Sequence, residues 1–453
     1  MMLGSLLSKE RGGRVITRSF RVFSSKCRRA AFGVMSWGDG SQGALGLGSC
    51  LAATAGVEDA YEPTRIEGLP DDVLSIGAGH YHSLAVTAQG EVWAWGRNNE
   101  AQLGRGLSSP RESWNRPEKV LGLNGVRTRA AFASGVVSTA IGEDGSVWVW
   151  GKSKRGQLGL GQGITEAVLP CRVEALAANH IVKVSLGWGH ALALSKDGQL
   201  FGWGYCAEGR LGLIGKEAEV QQSTSPRLSR ATTVPPKLSS SALEMAEKQV
   251  LEDMNAEKNM SIIWEPRLVE ELRGVPVLDI ACGLDHSLIL CRNNALLSGG
   301  NNTYGQLGRS NEGPWLLPVD MPFRPLSISS GLGHSLAVCE VPRSEVDGEP
   351  TTAIVSWGWN RSSQLGRPGP EHIPAITEGL AGEIPISVSG GRAHSIALTS
   401  KGNLWAWGCG KNGRLGLGSS ADEVEPALVE SLEGFELLQA VSGFDHSLIL
   451  VAE

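Results

Sequence analysis

Short apolar runs separated by Gly-containing turns dominate the pattern along the chain. Ser83-Leu84-Ala85-Val86 and Glu91-Val92-Trp93-Ala94-Trp95 alternate or run apolar over strand lengths, with Gln89-Gly90 between them, which predicts a β-hairpin. The same turn place holds Asp144-Gly145, Asp197-Gly198, Asn293-Asn294 and Lys401-Gly402. A two-residue turn of this kind needs positive φ, which Gly adopts freely and Asn best among the other residues. No uncharged apolar run reaches the roughly 18 residues that would cross a bilayer as a helix, so no membrane span is expected.

The hairpins recur with fixed marks. A Trp-Gly pair followed by a Leu-Gly pair runs from Trp37 to Gly46, Trp95 to Gly104, Trp150 to Gly159, Trp203 to Gly212, Trp357 to Gly366 and Trp407 to Gly416. A copy from Gly299 to Gly308 has Gly where Trp is expected. Upstream stands Gly-x-x-His, ending at His82, His190, His286, His334, His394 and His446, with Val137 in the remaining copy. Further upstream a proline recurs, at Pro63, Pro117, Pro170, Pro266, Pro318, Pro374 and Pro426. It is expected at the start of an outer-edge strand, where a missing N–H is tolerated. The period is about 50 to 58 residues where nothing large is inserted.

Each unit is a small antiparallel sheet that cannot bury its own faces, so neighbours must stack. The first mark is a Trp half-unit at Trp37 and the last a His half-unit at His446. Joining the two halves completes the seventh unit from both ends of the chain and removes open sheet edges. The marks resemble the regulator of chromosome condensation repeat, over roughly residues 34–453. The resemblance implies an all-β fold, a seven-bladed β-propeller of four-stranded antiparallel blades, here closed by pairing of N- and C-terminal strands. A Trp-Asp repeat propeller fits less well, because its period of ~40–45 residues is too short.

Composition agrees with this reading. The chain has 453 residues with 60 Gly and 14 Trp against 8 Phe and 4 Tyr, and both excesses sit largely on the repeat marks. That many glycines oppose a helical bundle, since each helix-interior Gly costs about 1 kcal/mol. Eight cysteines without a Cys-x-x-Cys pair give neither a disulfide framework nor a zinc spacing. Cys282 and Cys291 are expected to be buried thiols.

Charge separates the N-terminus from the rest. Residues 1–30 carry eight basic residues and one acid, interleaved with Leu3, Leu6, Leu7, Val15, Ile16, Phe20, Val22 and Phe23. This matches an organellar transit peptide, with Arg21-Val22-Phe23-Ser24-Ser25 resembling a plant mitochondrial processing site cleaved after residue 23. A mitochondrial matrix location is expected, with chloroplast import or a basic tail as alternatives. The remaining body is acidic, which opposes general nucleic-acid binding by charge.

An insertion spans residues 213–265. Its first part is rich in Ser, Thr and Pro and carries Arg227, Arg230 and Lys237 without acid, a candidate contact for RNA or protein. Its second part places Leu243, Ala246, Val250 and Met254 near helical spacing, a candidate docking helix with Leu243 and Val250 on its apolar face. A smaller excess around Glu340 to Pro350 lengthens one hairpin.

No catalytic constellation emerges. Six repeated histidines are read as structural hydrogen-bonders, together with Trp37, Trp95, Trp150, Trp203, Trp357 and Trp407 as repeat residues. There is no phosphate loop and no His-Glu-x-x-His zinc motif, so no metal or cofactor and no enzymatic activity are expected. The resemblance implies three functions. One is an organellar scaffold that binds proteins and supports RNA processing, such as splicing of respiratory-chain transcripts. Another is nucleotide exchange on a small GTPase. The third is UV-B sensing, which in the plant photoreceptor uses tryptophans at the second place of Gly-x-x-His. Only Trp188 stands there in this chain, beside His80, Gly135, Leu284, Leu332, Arg392 and Phe444, and this reading is the least favoured. The first reading is preferred, with protein partners and a monomeric state.

Overall fold

The hairpins grow into seven four-stranded antiparallel sheets. A computed structural model describes residues 32–48, 59–106, 114–214, 261–311, 313, 315–342, 351–380 and 382–452. The basic N-terminus and the candidate residues Arg227, Arg230, Lys237, Leu243 and Val250 lie outside the described residues. In the first blade the strands Val73–Ala78, His82–Thr87, Val92–Gly96 and Glu118–Lys119 follow one another from the channel outward. Five further blades repeat this order. The third ends with Ile262–Leu268, which takes in the last residues of the insertion.

The seventh blade is composite. Its inner strands Glu436–Ser442 and His446–Ala452 come from one end of the chain and its outer strands Phe32–Gly38 and Ala60–Arg65 from the other. Phe32 pairs with Ala452 and the ladder runs without a break to Gly38 opposite His446. The expected closure is therefore present, with the Trp half-unit and the His half-unit in register.

Antiparallel order gives the ring two distinct ends. The Gly-x-x-His loops and the loops after each third strand lie at one end, the loop face. The two-residue turns and the blade-to-blade connections lie at the other, the turn face. Every innermost strand slips register at the same place, between Val73 and Ser75 in the first blade and between Leu437 and Gln439 in the seventh. Five of the prolines sit on the outermost strands and Pro117 and Pro374 immediately precede them, but four lie within the strand instead of at its start. Pro63, Pro170, Pro266 and Pro426 each fall where that strand's pairing skips. A bulge leaves backbone groups unpaired, so it accepts a residue without an N–H.

Both motif glycines have steric causes. The Gly of each Trp-Gly has φ between +97° and +112°, and a Cβ on Gly96 would collide with the Tyr81 carbonyl. The Gly of Leu-Gly lies against the indole of the next blade. A Cβ on Gly46 would stand 2.7 Å from Trp95, and one on Gly308 2.6 Å from Trp357.

Candidate functional site: the blade seams and the channel mouth

The repeated His, Trp and Leu-Gly marks make contacts across the blade seams, so the seams decide which side chains remain for function. His82 Nε2 lies 2.7 Å from Ser138 Oγ of the next blade. The same link joins His190 to Ser287, His286 to Ser335, His334 to Ser395, His394 to Ser447 and His446 to Ser83, at 2.9 to 3.0 Å. Ser83, Ser138, Ser335 and Ser395 donate onward to the carbonyls of Ala44, Gln102, Gln306 and Gln364. Their oxygens therefore accept from the imidazole, which fixes the neutral Nε2–H tautomer. Trp95, Trp150, Trp357 and Trp407 donate to those same four carbonyls at 2.8 to 2.9 Å. Burial pushes His82, His286 and His334 down to about 3 and His446 down to about 4, and holds His190 and His394 well below the usual range. These six imidazoles are structural, as expected from their repetition, and none is a proton carrier near neutral pH.

Where a mark is missing, its partner is changed too. Val137 replaces the second-blade histidine, and Ala191 stands in the third blade where its serine would be. Ser134 replaces the Gly of that Gly-x-x-His and donates to the Gly187 carbonyl at 3.1 Å, so it ties the seam by another route. Gly299 lacks an indole, and Leu316 fills the space: a Cβ on Gly212 would meet Leu316 at 2.8 Å where its counterparts meet Trp. Arg210 and Arg414 occupy the place held by Gln102, Gln157, Gln306 and Gln364 in other copies. They pair with Asp285 at 2.6 Å and Asp445 at 2.7 Å, the residues just before His286 and His446. Sequence reading missed these compensations, because Leu316 lies in a loop, and Asp285 and Asp445 stand at the variable third place of Gly-x-x-His with their arginine partners one blade away.

The residues at the second place of Gly-x-x-His surround the loop-face mouth of the channel. His80, Trp188, Leu284, Leu332, Arg392 and Phe444 line a cavity of about 110 Å³. That is well below the ~300–1,000 Å³ of a pocket for a drug-sized ligand. Gly135 carries no side chain, and Trp188 lies across that gap to stack on His80 at 5.1 Å and 15°. Phe444 packs on the other side of His80 at 4.5 Å. Arg392 lies over Phe444 at 4.9 Å, Arg97 over Tyr81 at 5.3 Å and Arg210 over Tyr205 at 4.7 Å. A second aromatic pair, Tyr304 and Trp359, meets over Gly333. Trp188 is 38% and Tyr304 47% exposed, so the loop face presents planar rings flanked by guanidinium groups. Burial also drives the His80 imidazole down to about 3, so it stacks as a neutral ring.

Of the two cysteines expected to be buried, Cys291 is so and Cys282 is half-buried. Cys282 contacts Ser185 with its thiol pushed up to about 11 by burial. Among the described residues no group of three or more His, Cys, Asp or Glu side chains could hold a metal, and no helix is long and apolar enough to cross a membrane.

A closed ring of seven four-stranded blades, locked by His–Ser and Trp–carbonyl seams, defines a repeat propeller. The chain belongs to the RCC1-like domain family, whose model matches residues 33–449. It is 29% identical over 407 residues to the ultraviolet-B receptor UVR8 of Arabidopsis thaliana, covering 88% of this chain and 78% of the receptor. It is 27% identical to Protein RCC2 of Homo sapiens, over 82% of this chain and 66% of that protein. Human E3 ubiquitin-protein ligase HERC2 matches at 29% over 80% of this chain, which spans only 7% of the ligase. Among solved structures, Prp20p of Saccharomyces cerevisiae superposes with a TM-score of 0.70 at 23% identity, covering 93% of this chain and 91% of that one. Human WBSCR16 does so at 0.69 and 21%, covering 93% and 99%. Both likenesses concern the fold.

Proposed function

We propose that this chain is a non-enzymatic interaction propeller of the mitochondrial matrix that holds protein partners and supports organellar RNA processing. One observation carries the scaffold reading: the six repeated histidines are spent on the seams, whereas the loop face leaves the Trp188 and Tyr304 rings open and Arg97 and Arg392 partly exposed. Such rings and guanidinium groups are the residue types that anchor protein interfaces. Binding to proteins is also the subject of the Prp20p structures, one reporting binding to Gsp1p and histones and another a complex with Kap60. The mitochondrial part rests on the basic, Ser- and Arg-rich N-terminus and the RNA-processing part on family resemblance. A tagged mature form should co-purify from mitochondria with RNA-processing proteins, and loss of the gene should alter specific transcripts. Unchanged transcripts, with no such proteins recovered, would sink the reading.

The second reading is nucleotide exchange on a small GTPase, favoured by the fold shared with a structure described as binding Gsp1p. Exchange leaves no motif, so the measurement is release of labelled GDP from organellar GTPases. Acceleration by the purified chain would replace the scaffold reading. The UV-B reading is disfavoured by the mouth itself, where Trp188 stacks on a histidine with no second indole at the equivalent places.

A further inference from the structure

The turn-face entrance of the channel differs from the loop face. The register slip in each innermost strand leaves one residue out of the ladder near this entrance, and on consecutive blades these are Leu326, Ile386, Leu438 and Leu74. Leu326 and Ile386 are 42% exposed and Leu74 41%, with Ile384 at 37% beside them. Leu438 between them is half-buried on the core, and the open apolar side chains on either side of it form a patch of the kind that marks a binding surface.

Acid borders the same arc. Asp71, Asp72 and Glu433 lie in the connections that lead into the innermost strands of the first and seventh blades, and Glu436 opens the innermost strand of the seventh. None of the four makes an ion pair among the described residues. The bases of this arc are already engaged, Lys401 with Glu383 and Arg324 with Glu340, each at 3.1 Å. An apolar arc bordered by unpaired carboxylates fits a segment that is both basic and apolar.

Such a segment starts beside it. The Phe32 N–H donates to the Asp71 carbonyl at 2.8 Å, so the chain preceding Phe32 emerges next to Asp71 and Asp72. Arg28 and Arg29 stand four and three residues before Phe32, and Phe23, Val22, Phe20, Ile16 and Val15 precede them. Phe32 lies on the third strand from the channel, two strand spacings or about 10 Å from the innermost one. At roughly 3.3 Å per residue, three or four residues cover that distance.

We propose that the basic N-terminal segment of this chain docks on the turn-face entrance, with Arg28 and Arg29 against Asp71 and Asp72 and its apolar residues over Leu74, Leu438 and Ile386. Loss of residues 1–23 then uncovers the apolar arc. Hydrogen exchange read by mass spectrometry on the full chain tests this, comparing it with Arg28→Glu/Arg29→Glu and with a chain beginning at Ser24. Both changes lie outside the propeller, so folding is preserved and a matching melting temperature checks it. Amides of 71–75, 384–388 and 435–440 should exchange at least about fivefold faster in both, with 136–141 unchanged. Equal exchange in all three proteins overturns the proposal. Protection of these amides that persists in both variants but falls on dilution would assign the arc to a second copy of the chain, and overturns it equally. Neither outcome bears on the mitochondrial or RNA-processing reading.

Discussion

Two tryptophans on one strand show how position decides the worth of a residue. Trp95 is fully buried and its indole N–H donates to the Ala44 carbonyl of the neighbouring blade at 2.9 Å. Trp93, two residues earlier, lies on the same face of the blade and packs in the same apolar cluster, but its buried Nε1 has no partner. Composition counts the two alike. Replacing Trp95 by Phe removes a seam donor and should lower stability by about 1–2 kcal/mol. Trp93→Phe removes an N–H that is unpaired in the fold, so its effect should stay within about 0.5 kcal/mol of zero. Urea unfolding of the two variants checks this, and equal losses would show that the seam bond carries nothing beyond ring volume. The sequence made Trp95 legible through its repetition, but the difference from Trp93 depends on a carbonyl 51 residues away.

The seam is the unit in which the repeat varies. Between the second and third blades three marks change together: Ser134 for Gly, Val137 for His and Ala191 for Ser. The geometry explains why none can revert alone. In the other blades the His ring packs directly on the preceding glycine, and a Cβ on Gly79 would approach His82 to 2.6 Å. Val137→His by itself therefore drives an imidazole onto Ser134 and should cost about 1–3 kcal/mol, as overpacking does. Adding Ser134→Gly and Ala191→Ser exchanges the Ser134–Gly187 bond for a His–Ser link, one hydrogen bond for another. The triple variant should recover to within about 1 kcal/mol of the parent. A triple variant no more stable than the single one would mean that this seam has repacked around Val137. The third-to-fourth seam follows the same logic, with Leu316 standing in for an indole.

At the scale of the whole ring, closure was legible because the two half-units at the chain ends complement each other. The marks spaced by a fixed period reported the blades, since every blade meets the same steric demand. What stayed hidden varies from blade to blade: Leu316 behind Gly299, the Arg210–Asp285 and Arg414–Asp445 pairs, and the bulges that hold four prolines inside their strands. These arise between segments brought together only by the closed ring. Removing residues 440–453 deletes the strand that pairs Phe32–Gly38 and opens two sheet edges, so the sharp unfolding transition should be lost. A truncated chain that melts as sharply as the parent would refute closure as the source of cooperativity. The same ring makes stability depend on pH. Six seam histidines are held neutral, four of them at about 3 to 4, whereas an unfolded histidine titrates near 6.5. A base whose folded pKa is depressed favours the fold fully above its unfolded pKa and loses that stability as pH falls. Each histidine then contributes a slope of up to about 1.4 kcal/mol per pH unit, and six acting together approach about 8. Stability should thus be level with respect to these groups above pH ~7 and fall steeply between about 6 and 4. His286→Gln should make that fall shallower by about 1.4 kcal/mol per pH unit in urea unfolding followed across this range. An unchanged slope would show that the imidazole is already charged in the fold, against the Nε2–H donation to Ser335 on which the seam depends.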